Sequence, residues 1–164
     1  METQVIFISQ QQFFCLPIGQ VEKIIQVSAV TPVPKRASFV LGVIDYGDGV
    51  LPLIDLSGRL YNTLTTINEH SKIIVVQSET QLVGLLVEEV QGIKHYQTDQ
   101  FVVSADPSLQ ENSFISNFVR DQQEIIIALD LAQLLATDLS LAELVSPEFL
   151  EEILADTPSE ELLD

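Results

Sequence analysis

Residues 42–60 read GVIDYGDGVLPLIDLSGRL, and residues 118–135 read FVRDQQEIIIALDLAQLL. Each stretch sets short apolar runs around a polar turn, then an aspartate and a leucine-bearing tail. In the first, Gly42-Val43-Ile44 and Val50-Leu51-Pro52-Leu53-Ile54 flank the cluster Asp45-Tyr46-Gly47-Asp48-Gly49. Two short apolar runs about such a turn predict a β-hairpin. Finding the pattern twice points to an internal repeat, and a repeat changes the reading of the whole chain.

The repeat extends outward from these hairpins. A shift of 69 lays residues 4–27 over residues 73–96, so that Ser9 meets Ser78, Leu16 meets Leu85, Val21 meets Val90 and Ile24 meets Ile93. A shift of 75 lays residues 39–60 over residues 114–135, so that Phe39 meets Phe114, Asp55 meets Asp130, Leu56 meets Leu131 and Leu60 meets Leu135. The six extra residues fall in the second unit, around Ala105-Asp106-Pro107-Ser108. The chain therefore reads as two copies of a unit of roughly 65 residues. A unit that small buries too little surface alone. The two should pack on each other and leave a groove between them.

The dominant period is two. Segments 4–8, 13–18, 39–44, 50–56, 73–77, 82–87, 101–103, 114–119 and 125–129 are short and rich in β-branched or aromatic residues, with turn-formers between most of them. That pattern predicts an all-β sandwich or barrel. Pro52 inside an apolar run predicts an edge position or a bulge. Asp55 and Asp130 are set to cap the helical turns that follow them. The expected domain spans residues 1–136, as two barrel subdomains of about 5–68 and 69–136, with an exchange of strands at their boundary left open. Residues 137–164 are expected to be an acidic, partly helical tail, with a capping box at Ser140-Leu141-Ala142-Glu143 and a proline start at Ser146-Pro147-Glu148.

Charge narrows the partners. The net charge is −17; residues 137–164 hold nine acidic side chains and no basic one, and residues 1–136 hold fifteen acidic and seven basic. Phosphate backbones and anionic lipid would repel such a chain. A basic protein surface would attract it. No apolar run reaches the ~18 residues that cross a bilayer, and no signal sequence is visible, so the expected location is the cytoplasm. The single cysteine, Cys15, sits among Phe13, Phe14 and Leu16 and reads as a small buried hydrophobe. His70 and His95 read as surface residues in or beside loops, without metal-ligand company. No nucleotide-binding, hydrolase or metalloprotease motif is present. A binding module is therefore favoured over an enzyme, and no cofactor is expected.

The repeated stretches also resemble a known family. FCLPIGQVEKII, residues 14–25 with the preceding phenylalanine at 13, resembles the "Y-x-LPI-x-x-V-x-EI" opening of the CheW family. TPVPKRASFVLGVIDYGDGVLPLIDL resembles its "T-P-(L/V)-P-x-x-P-x-(F/Y)-(L/V)-x-G-V-(I/T)-N-L-R-G-x-V-(V/I)-P-(V/I)-(I/V)-D-L" core. KIIVVQSETQLVGLLVEEVQGI and FISNFVRDQQEIIIALDLAQLL resemble its second half and end, so the likeness covers residues 4–135. The resemblance implies two small five-stranded β-barrels packed side by side, with short helices. It implies a non-enzymatic cytoplasmic adaptor, at receptor arrays on the inner membrane, for chemotaxis, phototaxis or pilus motility. Its partners would be the regulatory domain of a CheA-type histidine kinase and the signalling tip of a chemoreceptor, with self-assembly into rings.

Carried over by position, the resemblance places a receptor groove at Val21, at its repeat mate Val90, and at the turn Asp45, Tyr46, Gly47 and Asp48. The family writes Asn-Leu-Arg-Gly at that turn. Here Gly47 holds the arginine position, and glycine cannot make the forked bond of a guanidinium. Arg120, the repeat mate of Asp45, keeps one positive group in the other unit. An adaptor that binds the kinase without ordinary receptor coupling is the alternative expectation. A double barrel that binds a small molecule or catalyses a reaction is the distant one.

Overall fold

The computed structural model describes residues 1–34, 36–104, 106, 108 and 114–136. They form β1 (Glu2–Ser9), β2 (Gln12–Pro17), β3 (Val21–Gln26), β4 (Val40–Tyr46), β5 (Gly49–Asp55), α1 (Leu56–Tyr61), β6 (Lys72–Gln77), β7 (Leu82–Val87), β8 (Glu89–Tyr96), β9 (Phe101–Val102), β10 (Ile115–Asp121), β11 (Glu124–Leu129) and α2 (Leu131–Leu135). The strands make two sheets, a six-stranded one in the order β8-β1-β2-β11-β10-β9 and a five-stranded one in the order β3-β6-β7-β5-β4. The mostly-β fold read from the sequence is the fold observed. The expected helical tail at 137–164 lies outside the described residues.

The two sheets are built alike, but neither follows one repeat unit. Each takes its first hairpin from one unit and its remaining strands from the other. The six-stranded sheet joins β1 and β2 to β8, β9, β10 and β11, and the five-stranded sheet joins β6 and β7 to β3, β4 and β5. One parallel contact in each sheet makes the junction. β2 meets β11 at Phe14↔Ile127 and Cys15↔Ala128, and β5 meets β7 from Leu53↔Gly84 to Asp55↔Leu86.

Chain length shows that the sheets curl. A flat six-stranded sheet would hold its edges about 24 Å apart. Its edge strands β8 and β9 are joined from Tyr96 to Phe101 through a 3-10 turn at Thr98–Gln100. Five residue steps reach at most about 18 Å, so the edges must approach. In the five-stranded sheet the chain running on from edge strand β3 reaches the opposite edge strand β4. There Thr31 and Val43 exchange both backbone bonds, at 2.8 and 2.9 Å. Gly42 permits that approach, because with φ at +143° any Cβ would lie 2.1 Å from the Thr31 carbonyl oxygen. The ladders themselves do not close, so each sheet is a curled, barrel-like half of the molecule.

Burial divides into three clusters. One is shared between the sheets: Val5, Phe7, Phe14 and Leu16 meet Ile74, Val76, Val83, Leu85 and Val87, with Leu56, Leu131, Leu134 and Leu135 from the helices. The other two fill the curls, Ile6, Cys15, Tyr96, Val119, Ile126 and Ala128 in one, and Ile44, Leu51, Leu53, Ile73, Val75 and Leu86 in the other. Alternate residues of β1, β2, β6 and β7 thus point into opposite cores. Strands buried on both faces read as unbroken apolar runs, which is why VIFI and IIVV stand out in the sequence. The two units do pack on each other, as their thin individual cores require.

Two strands escaped the sequence reading. β3 and β8 are pseudo-equivalent edge strands with four of six and four of eight residues exposed to solvent. Irregularities interrupt their pairing, at Val21/Lys23 and opposite Ile6/Phe7, so neither shows a clean alternation. His95 is exposed, one residue before the end of β8, with Nδ1 2.8 Å from Thr3 Oγ1. Pro52 lies on β5, between β7 and β4 in the strand order. It is locally an edge all the same, because the ladder to β7 starts only at Leu53.

Candidate functional site

Val21 opens β3 directly after the 3-10 turn Ile18–Gln20, and its amide closes that turn on the Ile18 carbonyl. It pairs with Val76 on β6 and packs, half-buried, on the shared core. Val90 repeats this arrangement on the other sheet: it pairs with Phe7 on β1 and packs on the same core. The two valines therefore stand on equivalent edge strands, each half-open to solvent, each seated on the apolar layer between the sheets.

The turn sits at the tip of the β4–β5 hairpin. Asp45, Gly47 and Asp48 are exposed, and Tyr46 is half-buried against the core of the five-stranded sheet. Gly47 adopts φ +58°, and a Cβ built there meets nothing within 4 Å. Its repeat mate Gln122 takes φ +57°, so this backbone shape carries a side chain elsewhere in the same molecule. The curl brings the turn to β3: the Tyr46 hydroxyl donates to Glu22 Oε2 at 2.6 Å, and Lys23 Nζ stands 5.9 Å from the Tyr46 ring centre. The bond to Glu22 holds the Tyr46 hydroxyl above its ordinary range. The Asp45–Asp48 turn and Val21 are thus neighbours through Glu22, while Val90 belongs to the opposite sheet.

The other sheet closes the same seam with different chemistry. Asp121, the repeat mate of Tyr46, accepts from the Tyr96 hydroxyl at 2.7 Å and from Lys94 Nζ at 3.0 Å. The hydrogen bond from Tyr96, then that from Lys94, hold the Asp121 carboxyl below its usual range. Burial, with Asp121 as acceptor, raises the Tyr96 hydroxyl. Arg120 is exposed beside this seam on β10.

The sequence reading missed Glu22, Lys23 and Arg59. Lys23 stands where the family pattern quoted above writes Glu, so this chain departs from that pattern on both sides of the Tyr46 seam. Arg59, on α1, lies between two rings made equivalent by the repeat, Phe39 at 4.6 Å and Phe114 at 4.5 Å. It donates from Nε to Leu134 O at 2.9 Å and from Nη2 to Ala136 O at 2.8 Å. Both helices begin on the matched aspartates: Asp55 accepts from Gly58 N and Asp130 from Gln133 N. Cys15 is buried, and burial pushes its thiol up to about 12. Among the described residues no three His, Cys, Asp or Glu side chains are grouped to hold a metal, and no helix is long and apolar enough to cross a membrane.

The comparison that decides the family runs along nearly the whole described chain. The model of the CheW-like domain matches residues 4–139. The chain belongs to the CheW-like family. It is 30% identical over 96 residues to protein PilI of Pseudomonas aeruginosa, 58% of this chain and 54% of that protein. It is 39% identical over 82 residues to the chemotaxis protein CheW of Rhizobium meliloti, 50% of this chain and 53% of that one. The chain thus spans about half the length of these two curated relatives. The crystal structure of the scaffolding protein TtCheW from Thermoanaerobacter tengcongensis superposes with a TM-score of 0.76 at 21% identity, covering 84% of this chain and 94% of that one. That likeness establishes the CheW-like double-barrel fold, with one sheet of five strands and one of six.

Proposed function

We propose that this CheW-like protein is a non-enzymatic adaptor. It couples a chemoreceptor to a CheA-type histidine kinase in a chemotaxis or pilus-motility array, in the cytoplasm at the inner membrane. The carrying observation is the matched pair Val21 and Val90. Each is half-buried on an equivalent edge strand and rests on the core between the sheets. Apolar seats of this kind suit an amphipathic helix laid in a groove, and a receptor tip offers such helices. The kinase contact is proposed through its homologous regulatory domain, and ring assembly would follow from repeated contacts of that type. No cofactor enters this reading.

A second reading has its own observation. Gly47 is bare, open and flanked by the exposed carboxylates Asp45 and Asp48. A receptor tip that relies on a guanidinium at this turn would lose its partner, leaving an adaptor that binds the kinase alone. Calorimetry with a purified kinase regulatory domain and a receptor tip separates the two. Binding to both, with Val21→Asp weakening the receptor arm alone by more than tenfold in a variant that keeps the wild-type circular dichroism, supports the coupling adaptor, because the complex strips the new charge of the water that half-open position 21 leaves it. Kinase binding alone, with receptor binding gained in Gly47→Arg, supports the second. Binding to neither partner would overturn both.

A further inference from the structure

The repeat supplies an internal control for the interior of each curl. In the five-stranded sheet one end is plugged by Ile73, Leu86 and Leu53, each fully buried. They are cross-strand neighbours of one another's strands, with Ile73 opposite Leu86 and Leu53 beside Gly84. The corresponding residues in the six-stranded sheet, by the same shifts, are Gln4, Pro17 and Ala128. Gln4 stands opposite Pro17, and Ala128 beside Cys15. Cys15 in place of Gly84 returns some volume at depth. At the mouth, an alanine replaces a leucine and a polar side chain replaces an isoleucine.

A cavity of about 200 Å³ opens there, half-enclosed, with Gln4, Gln20, Asn117, Phe101, Glu2 and Asp130 on its wall. Gln4 is 2% exposed, yet its side-chain Oε1 has no hydrogen-bond partner, and neither has Oε1 of Gln20. Buried acceptors without donors cost free energy unless something enters to donate. No Lys, Arg or His is among the described residues of the wall, whereas two carboxylates are. Asp130 Oδ1 already accepts from Gln133 N, and Lys94, opposite Gln4 on β8, is paired with Asp121 at 3.0 Å, so the other Asp130 oxygen and Glu2 set the sign of the field. The mouth of a small barrel is a common place for a ligand. An acceptor-rich, negatively charged mouth selects a cation with several N–H groups and repels carboxylate and phosphate.

We propose that the mouth of the six-stranded curl is a binding site for a small organic cation with a guanidinium or primary ammonium head, toward which the side chains of Gln4 and Gln20 turn their closed-off, unpartnered Oε1 atoms. This site is independent of the partner-binding reading above: none of Val21, Val90 or the Asp45–Asp48 turn lines it. The head arrives either on a free small molecule or on an arginine side chain of another protein.

The test is a titration of the full chain, labelled with nitrogen-15, following the side-chain amides of Gln4, Gln20 and Asn117. The probes are agmatine, a blocked Gly-Arg-Gly peptide, neutral acetamide and acetate. Saturable shifts are expected with agmatine or the peptide below about 10 mM, and responses at least about tenfold weaker with acetamide and acetate. Tighter binding of agmatine identifies a small-molecule site, and binding of the peptide alone identifies a side chain. Ala128→Leu and Gln4→Ile, each made together with Cys15→Gly because a Cβ at the matching Gly84 would lie 2.9 Å from Ile73 and 3.2 Å from Leu53, copy the plugged mouth of the sister sheet, and each should weaken the cation response about tenfold or more. No saturable shift in the unaltered protein, an equal response to acetamide or acetate, or undiminished binding in a folded variant would overturn the proposal and leave the mouth a water pocket.

Discussion

The guanidinium of Arg59 lies between Phe39 and Phe114 and donates to two carbonyls at the end of α2. Its own repeat mate is Leu134, one of those two acceptors, so the repeat is broken at the point where its halves meet. Removing the side chain leaves both carbonyls short of a donor and both rings without their shared cation. Arg59→Ala should cost about 2–3 kcal/mol in urea unfolding. Arg59→Lys should restore less than half of it, since an ammonium has neither the plane nor the fork. Asp121 sets a different test. Its folded value lies below the ordinary 3.8 because Tyr96 and Lys94 bond to its charged form. The contact therefore stabilises the fold above that value and is lost as pH falls through and below it. In melting curves, the wild-type protein should exceed Asp121→Asn near neutral pH, and the difference should shrink toward zero in acid. A constant difference would remove the charge from the explanation.

Among the elements, the hairpin turns carry the most local strain. Gln10 and Gln11, between β1 and β2, have φ of +50° and +64°. Side chains resist that conformation, which favours glycine or asparagine in two-residue turns. Gln10 is engaged, with its amide on Glu88 Oε1 and its Nε2 on Ser57 Oγ. Gln11 is exposed, so Gln11→Gly should stabilise the protein by roughly 0.5–1 kcal/mol, measured as a rise in the urea midpoint. The element scale also shows what the sequence could and could not disclose. β1, β2, β6 and β7 were legible because burial on both faces writes an unbroken apolar run. The helix caps were legible because an aspartate before a leucine-bearing turn has one local job. β3 and β8 were hidden by solvent and bulges. The Tyr46–Glu22 bond could not be read at all, since it joins opposite edges of one sheet and exists only after the sheet curls. The open mouth was partly written in the alignment of Gln4 with Ile73 and Ala128 with Leu53. Its meaning needed the strand exchange that places Gln4 and Ala128 in one curl.

For the whole molecule, the exchange of first hairpins decides how stability is shared. Each repeat unit contributes strands to both sheets, and the shared core takes side chains from β1, β2, β6 and β7 together. Neither sheet can lose its order without exposing the apolar face of the other, so unfolding should be a single transition. Urea curves followed by far-ultraviolet and near-ultraviolet circular dichroism should superimpose, and two separated midpoints would show the sheets to be independent. The same exchange has a consequence for synthesis. All strands of the five-stranded sheet lie within residues 21–87, whereas the six-stranded sheet joins residues 2–17 to residues 89–129. As the chain leaves the ribosome, its first hairpin can cover the growing five-stranded sheet at once. It must then wait for β11 before its own sheet has a neighbour on that side. A frameshift after residue 88 would therefore leave every strand of one sheet in place and only a bare hairpin of the other, and such a truncated chain is a natural target for chaperones and proteases.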